Sequence, residues 1–255
     1  MPARIPSQRS SVAKRPLFLW LLAGGVGLVS LWLLPHAWRQ MTADLIAAPA
    51  RVTINPQAGQ AQPVENAQLW RAHRQRLETA LEIQPDNAIA HADLAALHMA
   101  AVAVPDLSED ELVENRLAAI VHFREATHLR PADPRLWLGL ARAYLMAGDL
   151  GAGFQEAWQR AAILGPHEAV VHTGLFEMAL LIRPPAALPA MADWVHELYE
   201  SADERKRAAM RRIAESYEVA IDDEGRLSLM AVPEAEAGAD PAAAPAPDNA
   251  DSVTP

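Results

Sequence analysis

The stretch from Leu17 to Leu34 constrains this chain most, because it is about 18 residues long and contains no charged residue. As a helix with a rise of about 1.5 Å per residue it would extend roughly 27 Å, close to the thickness of a bilayer's hydrocarbon core. The residues before it include four basic side chains and no acidic one: Arg4, Arg9, Lys14 and Arg15. The positive-inside rule therefore predicts a single transmembrane helix at 17–34 with a cytoplasmic N-terminal segment at 1–16.

A cleaved secretory signal would share the basic start. Its apolar core would be about 7 to 15 residues long and would end at an Ala-x-Ala-like site. The residues that follow Leu34 here are Pro35, His36, Ala37, Trp38 and Arg39, which offer no pair of small residues. An uncleaved anchor is therefore favoured, and the cleaved signal is the alternative.

The charge and the cysteine content restrict what the rest of the chain can do. After residue 16 there are 18 basic and 32 acidic residues, a formal charge of −14, so binding to nucleic acid is disfavoured. The chain contains no cysteine, which excludes disulfides, thiol catalysis and thiolate metal sites. These features suit a bacterial inner membrane protein whose C-terminal domain is periplasmic, with a eukaryotic organelle as the alternative.

The composition divides the chain after the anchor into four parts. Residues 35–64 contain several prolines and are predicted to be a linker, and residues 65–183 are rich in Ala and Leu with helical periodicity. Two further helices are expected at 184–220. From 221 to 255 the sequence becomes acidic and rich in Ala and Pro, which predicts a disordered tail.

A short pattern recurs three times in the helical region. Each copy places an alanine five residues before a proline, and an apolar residue three positions before that alanine. The copies are Ala80–Pro85 with Leu77, Ala126–Pro131 with Phe123, and Ala161–Pro166 with Trp158. A small residue lets two helices approach closely, and a proline cannot continue the helix before it. Each copy is therefore predicted to end the second helix of a hairpin, and hairpins recurring at about 35 residues indicate a solenoid.

The clearest copy lies between Pro134 and Pro166. Its first helix ends at the turn Gly148-Asp149, and its large and small residues follow a fixed order: Trp137, Leu140, Ala141, Tyr144, Phe154, Trp158 and Ala161. With one extra residue near Gly151, this order resembles the tetratricopeptide repeat family, and the resemblance extends over residues 69–182. It implies an all-α stack of helical hairpins whose concave groove binds peptides or protein segments.

The neighbouring copies fit the repeat less completely. From residue 88 the equivalent positions hold His91, Leu94, Ala95 and His98, but about twelve extra residues at 104–115 interrupt this copy. A half copy precedes Pro85. Another occupies residues 172–179, where Phe176 replaces the usual small residue.

The two helices expected beyond the repeats cover residues 188–200 and about 203–219. The second is highly charged, with Ser201 or Asp203 available to cap it. Its polar face suits a terminal cap that shields the last repeat from water. The alternative is a docking helix for another protein, presenting Arg205, Lys206, Arg207, Arg211 and Arg212.

Catalytic and metal-binding patterns are not recognisable in the sequence. His91 and His98 would lie about 10 Å apart on one helix face, too far to share a metal ion, and they coincide with packing positions of the repeat, as does His172. His122 and His128 project to different faces. The acidic run after Ser108 is interpreted as a capped first helical turn. No enzyme, metal or cofactor is predicted, and the alternative is a hydrolase in region 184–219 using Asp193, His196 and Glu197.

The candidate functional surface is the groove implied by the resemblance. Positions two, five, nine and twelve of each first helix would line it: Ile89, Ala92, Ala96 and Met99, then Arg135, Leu138, Arg142 and Leu145. Arg135 and Arg142 are candidates to bind carboxylates of an acidic partner segment, because guanidinium groups pair bidentately with them. The alternative for both arginines is that they lie on a solvated helix surface and bind no partner.

The predicted function is a membrane-anchored scaffold for protein–protein interactions in a bacterial cell-envelope assembly. Exopolysaccharide synthesis and export is the first context considered, although no single residue indicates it. Cytochrome c maturation and secretion or pilus machinery are the alternatives.

Overall fold

A computed structural model describes the backbone of residues 14–54, 66–182 and 188–230, and the side chains of 23–52, 66–182 and 188–230. The described residues are helical apart from turns and one short β-hairpin, which confirms the all-α class. The predicted cytoplasmic segment up to residue 13 and the acidic tail from residue 231 lie outside the described residues. Two compact units divide the chain at residues 178 and 179, a boundary that falls within one helix.

The first unit contains a long first helix and a series of helical hairpins. The helices are α1 (Lys14–Ile54), α2 (Ala67–Ile83), α3 (Ala88–Ala100), α4 (Glu109–Leu129), α5 (Pro134–Met146), α6 (Ala152–Leu164) and α7 (Ala169–Leu181). Neighbouring helices pack in sequence: α1 against α2 and α3, α3 against α4, α4 against α5, and α5 against α6. Helices α5 and α6 pack against each other as one hairpin, and α3 contacts both α4 and α5.

Helix α1 differs from the prediction for residues 35–64. The sequence predicts a linker there, whereas the structure continues the helix through Pro35 and Pro49 to Ile54. Ala43, Ala47 and Ala50 are completely buried in a cluster with side chains of α2 and α3. Proline disfavours a helix interior by about 3 kcal/mol. The packing of this alanine face against the first hairpin explains why the segment around Pro49 is nevertheless helical.

Polar contacts join α1 to the hairpin beside this alanine face. Arg51 Nε donates to Asp93 Oδ2 of α3 at 2.7 Å, and its Nη2 lies 3.4 Å from Asp44 Oδ1. Within the hairpin itself, the buried indole of Trp70 in α2 donates its Nε1–H to the carbonyl of Leu97 in α3 at 3.0 Å. The C-terminal part of α1 is therefore part of the folded domain.

The three proline-containing junctions have the same backbone hydrogen bonds. In each junction, the backbone amide four residues after the buried alanine donates to the alanine carbonyl. The amide three residues after that donor then donates to the donor residue's own carbonyl. The bonds are Gln84 N to Ala80 O, Arg130 N to Ala126 O and Gly165 N to Ala161 O, each 3.0 Å long, followed by Asn87 N to Gln84 O, Asp133 N to Arg130 O and Glu168 N to Gly165 O, each 3.2 Å long. The recurring sequence pattern is thus a recurring local structure.

The insertion at 104–115 is divided between a loop and an extension of α4. Helix α4 has 21 residues, whereas α6 has 13. Ser108 and Glu111 form a complete capping box at its start, which confirms the interpretation of the acidic run as a capped first turn. The insertion therefore lengthens one helix of a hairpin without changing the junction that follows.

The second unit contains α8 (Pro189–Ser201), α9 (Glu204–Ser216) and an antiparallel hairpin of β1 (Val219–Ile221) and β2 (Leu227–Leu229). Asp203 caps α9 by accepting a hydrogen bond from Lys206 N at 2.8 Å. Gly225 has a φ of 77°, and a Cβ there would lie 2.9 Å from Tyr199 Cβ, so the turn requires glycine. Strand β1 begins in residues that the sequence assigns to the capping helices, and from Ile221 onward the hairpin occupies residues that it assigns to the disordered tail.

We predict that Ala47→Leu separates α1 from the first hairpin, because the added atoms have no space at a fully buried position. The free energy of unfolding should fall by about 1–3 kcal/mol. Ala37→Leu is the matched control, because Ala37 is exposed on the same helix. Urea unfolding of the detergent-solubilised full chain measures both, and equal stability of the two variants would contradict the docking of α1.

Candidate functional site

The predicted groove residues are only partly accessible. On α3, Ile89 is exposed, and Ala92, Ala96 and Met99 are half-buried. On α5, Arg135 is exposed, Arg142 and Leu145 are half-buried, and Leu138 is 4% exposed. Seven of the eight predicted positions therefore retain some accessible surface.

Leu138 is covered by α7. A Cβ atom at Gly174 would lie 2.9 Å from Leu138 Cδ2 and 2.9 Å from Arg142 Nη2, so the two helices approach closely at this glycine. Leu138 contributes to the packing between first helices of successive hairpins and has almost no surface to offer a partner.

Both arginines of the groove are already paired within the chain. Arg135 Nε donates to Glu168 Oε2 at 2.9 Å, and Arg142 Nη2 donates to Glu177 Oε2 at 3.1 Å. Each side chain of the two pairs is at least one-third exposed, so each pair contributes at most about 1 kcal/mol. The candidate surface is consequently a row of ion pairs between α5 and the α7 region, with both signs accessible.

A shallow surface depression of about 590 Å³ adjoins the first of these pairs. It is lined by the α4–α5 turn from Arg130 to Pro134, together with Arg135 and Glu168. This turn is one of the three equivalent junctions, and its backbone follows the repeat. The depression extends the candidate groove towards the junction.

Three histidines that the sequence analysis treated separately lie together between α3 and α4. The ring centroid of His122 is 5.3 Å from that of His91 and 5.7 Å from that of His98, and it is stacked on the latter at 5°. The sequence analysis considered His91 together with His98, and His122 together with His128, so it missed this arrangement. Nothing in the spacing relates His122 to His91, because they are 31 residues apart on different helices.

The hydrogen bonds assign a proton to one nitrogen of each ring. His91 Nε2 lies 2.9 Å from the Pro85 carbonyl and donates to it, so His91 Nδ1 accepts from His122 Nδ1 at 3.0 Å. Asn115 Nδ2 donates to the Glu111 carbonyl, which leaves Asn115 Oδ1 to accept from His98 Nδ1 at 2.6 Å. This network is satisfied when all three imidazoles are neutral.

The first of these bonds recurs in the next hairpin. Trp137 Nε1 donates to the Pro131 carbonyl at 2.8 Å, as His91 Nε2 donates to that of Pro85. The two rings occupy equivalent positions of the sequence repeat. A ring N–H that closes the preceding proline turn therefore explains why histidine substitutes for tryptophan there.

Burial opposes protonation of two of these histidines, His122 and His98. Burial of the ring, and then the neighbouring His98 and His91, lower the pKa of His122 from 6.5 to about 4. Burial also lowers the pKa of His98, although its bond to Asn115 acts in the opposite direction. Within the described part of the chain, no group of three or more His, Asp or Glu side chains is arranged to hold a metal ion.

The three residues of the alternative hydrolase site lie on the exposed face of α8, and one of them contacts the β-hairpin. Asp193, His196 and Glu197 are exposed on α8. His196 Nδ1 donates to the carbonyl of Glu224 at 2.6 Å, which ties α8 to the turn of the β-hairpin. Arg211 Nε donates to Tyr199 Oη at 2.9 Å, and Arg207 Nε donates to the Tyr199 carbonyl at 3.0 Å, so two cations of α9 serve the packing of this unit.

No protein-family model and no characterised protein matches the sequence of this chain. Among the residues that the structure describes, no helix has both the length and the apolar character needed to cross a membrane. The side chains of residues 17–22, which belong to the predicted span, lie outside that set.

We predict that His122 makes the stability of the domain dependent on pH. The folded pKa of His122 is below its unfolded value, so between about pH 4 and 6.5 the unfolded chain binds more protons. The free energy of unfolding should therefore decrease as the pH falls through this window, by up to about 1.4 kcal/mol per pH unit from His122 alone.

His122→Phe keeps a flat ring and removes this titration, so its unfolding free energy should change less steeply over the same window. Urea unfolding at several pH values measures both proteins. Parallel curves for the wild type and the variant would show that His122 does not have a lowered pKa.

Proposed function

We propose that this protein is a membrane-anchored helical-repeat scaffold that binds protein partners in the bacterial cell envelope. Its N-terminus lies in the cytoplasm and its repeat domain in the periplasm. The observation that carries this proposal is α1, whose described side chains from residue 23 to residue 34 are all exposed and which is buried on one face where it meets the first hairpin.

The exposure of α1 supports a lipid environment for its first part. Every described side chain from residue 23 to residue 41 is exposed, including Leu28 at 71% and Leu31 at 70%. Apolar side chains exposed to water around a whole helix are unfavourable by about 25 cal/mol for each Å². A bilayer removes this cost, and the basic residues before the helix orient it with the N-terminus inside.

The repeated junctions support the second half of the proposal. Three identical sets of turn hydrogen bonds, and the ring-to-proline bond shared by His91 and Trp137, agree with the resemblance to tetratricopeptide repeats. Stacked hairpins of this kind expose a continuous surface of first helices, which is suited to binding an extended or helical protein segment.

The partner surface that we propose includes the accessible groove residues and the two ion pairs. Ile89 and Met99 supply apolar contact, while Arg135 and Arg142 supply cations whose glutamate partners are exposed enough to be exchanged for carboxylates of an acidic segment. Exopolysaccharide assembly remains the first envelope context to test for such a partner.

The orientation of the anchor can be tested with a reporter enzyme that is active only outside the cytoplasm. The fusion should follow Met230, because the β-hairpin ends at that point and its backbone amide bonds to Glu218. We expect an active reporter, and we expect lower activity when Arg4, Arg9, Lys14 and Arg15 are all replaced by Glu. Activity of a cytoplasm-only reporter at this junction would contradict the topology.

The groove can be tested by exchanging the charges of one ion pair. Arg142→Glu alone places two carboxylates together, whereas Arg142→Glu with Glu177→Arg restores a pair of reversed polarity and should restore the wild-type melting temperature. If an acidic segment binds α5, the double variant should capture about tenfold less partner from solubilised envelope membranes, a loss of about 1.4 kcal/mol in binding.

The matched control for this exchange is Arg160→Glu with Glu156→Arg, a pair 3.7 Å apart on α6. The control should capture the wild-type amount, because these residues lie on the second helix of the hairpin. Equal capture by both double variants would place the binding surface elsewhere.

A further inference from the structure

The exposed face of α1 carries a regular apolar pattern that begins at the end of the proposed membrane span and continues beyond it. Between residues 35 and 52, the exposed large apolar side chains are Trp38, Met41, Leu45 and Val52. Together with Leu31, Leu34 and Ala48 they are spaced alternately by three and four residues, which is the a and d spacing of a heptad repeat. Three successive heptads therefore present one apolar stripe, the α1 seam, from residue 31 to residue 52.

The α1 seam is not explained by the packing of this chain. The exposed fractions of Trp38, Leu45 and Val52 are 65%, 73% and 79%. The buried alanines Ala43 and Ala50 fall at the f positions of the same heptads, on the side of the helix opposite to the seam. Helix α1 thus uses one face for its own domain and leaves the other face apolar and uncovered.

A surface depression on α1 has the composition of a coiled-coil hole. Its volume is about 560 Å³, and six residues line it: Ala37, Gln40, Met41, Asp44, Leu45 and Ala48. Met41, Asp44, Leu45 and Ala48 hold successive d, g, a and d positions, and such a set of four receives one a-position side chain from a parallel partner helix.

The charges beside the seam permit pairing with an identical helix. The e positions Pro35, Thr42 and Pro49 are uncharged. The g positions include Asp44 and Arg51, which are 3.4 Å apart within the same chain, and Arg51 also pairs with Asp93. Two copies in register would therefore bring no uncompensated like charges together along the seam.

We propose that two copies of this chain associate through the α1 seam as a parallel two-helix coiled coil at the membrane surface. The parallel orientation rests on the proposed topology, because two copies anchored with the same orientation can meet only in parallel. Confinement to one membrane also raises the effective concentration of the second copy. In this dimer Leu45 of each copy occupies the hole on the other, and the two repeat domains lie on opposite outer sides of the coiled coil.

Single-cysteine crosslinking tests the proposal without background, because the chain contains no cysteine. Met41→Cys and Leu45→Cys place a thiol in the seam, and Arg39→Cys and His36→Cys are exposed controls at b and f positions of the same helix. Each variant of the full chain is expressed in membranes and oxidised with copper phenanthroline.

Disulfide-linked dimers are expected for the Met41 and Leu45 variants and not for the two controls. Equal crosslinking at all four positions would indicate random collision and would overturn the proposal. A crosslinked band of any mass other than that of the dimer would show that the seam binds a different protein, and this result would also overturn the proposal.

A second measurement separates contact from association. Two differently tagged copies are purified together in mild detergent, with Leu45→Glu compared with the control Arg39→Glu, an exposed b position of the same helix. The seam variant should recover about tenfold less of the second copy, because a carboxylate would be buried in the coiled coil, and the control should recover the wild-type amount. Equal recovery would overturn the proposal.

These outcomes are independent of the topology reporter. An active external reporter with no dimer would leave the anchored scaffold standing and remove the coiled coil. A dimer with an inactive reporter would leave the seam standing and remove the proposed orientation.

Discussion

Each helical hairpin of this chain has an apolar face that it cannot cover by itself, and the structure depends on how the first of these faces is closed. Helix α1 closes it. Ala43, Ala47 and Ala50 have no side chain beyond Cβ, so the helix axis can come close to α2 and α3 and bury Trp70 and Leu77 behind it. The hairpins that follow are covered by their successors in turn, as in other helical repeats.

The same helix connects the two halves of the proposed function. A flexible linker between anchor and repeats would let the domain take any orientation relative to the membrane. A continuous helix that is packed into the domain over its last turns gives the domain a defined position beyond the end of the apolar segment. In the proposed function, a partner surface on the repeats would then have a fixed distance from the membrane and a fixed orientation relative to it, which suits a scaffold.

The repeat junctions show how one structural requirement creates an unrelated chemical property. The position held by Trp137 requires a flat ring with an N–H group to reach the preceding proline carbonyl, and His91 satisfies this requirement in the earlier hairpin. Imidazole has a second nitrogen, which indole lacks, and in this hairpin it accepts a hydrogen bond from His122. A substitution that preserves the turn thus adds a hydrogen-bonded pair of imidazoles to this hairpin.

The sequence by itself determined the features that depend on residues close together in the chain. The all-α class, the proline-terminated hairpins and the capping box at Ser108 follow from local rules, because the groups concerned are within a few residues of each other. The same rules reduced the cap of α9 to Ser201 or Asp203, and the structure has Asp203. Only the tertiary structure decided the pairing of Arg142 with Glu177, the burial of Leu138 beneath Gly174 and the position of His122 against His91. It also decided that α1 remains helical through Pro49, because the stabilisation there comes from a buried face formed with α2 and α3. Contacts between residues 30 or more positions apart depend on the distance and rotation between packed helices, and no local pattern encodes these quantities.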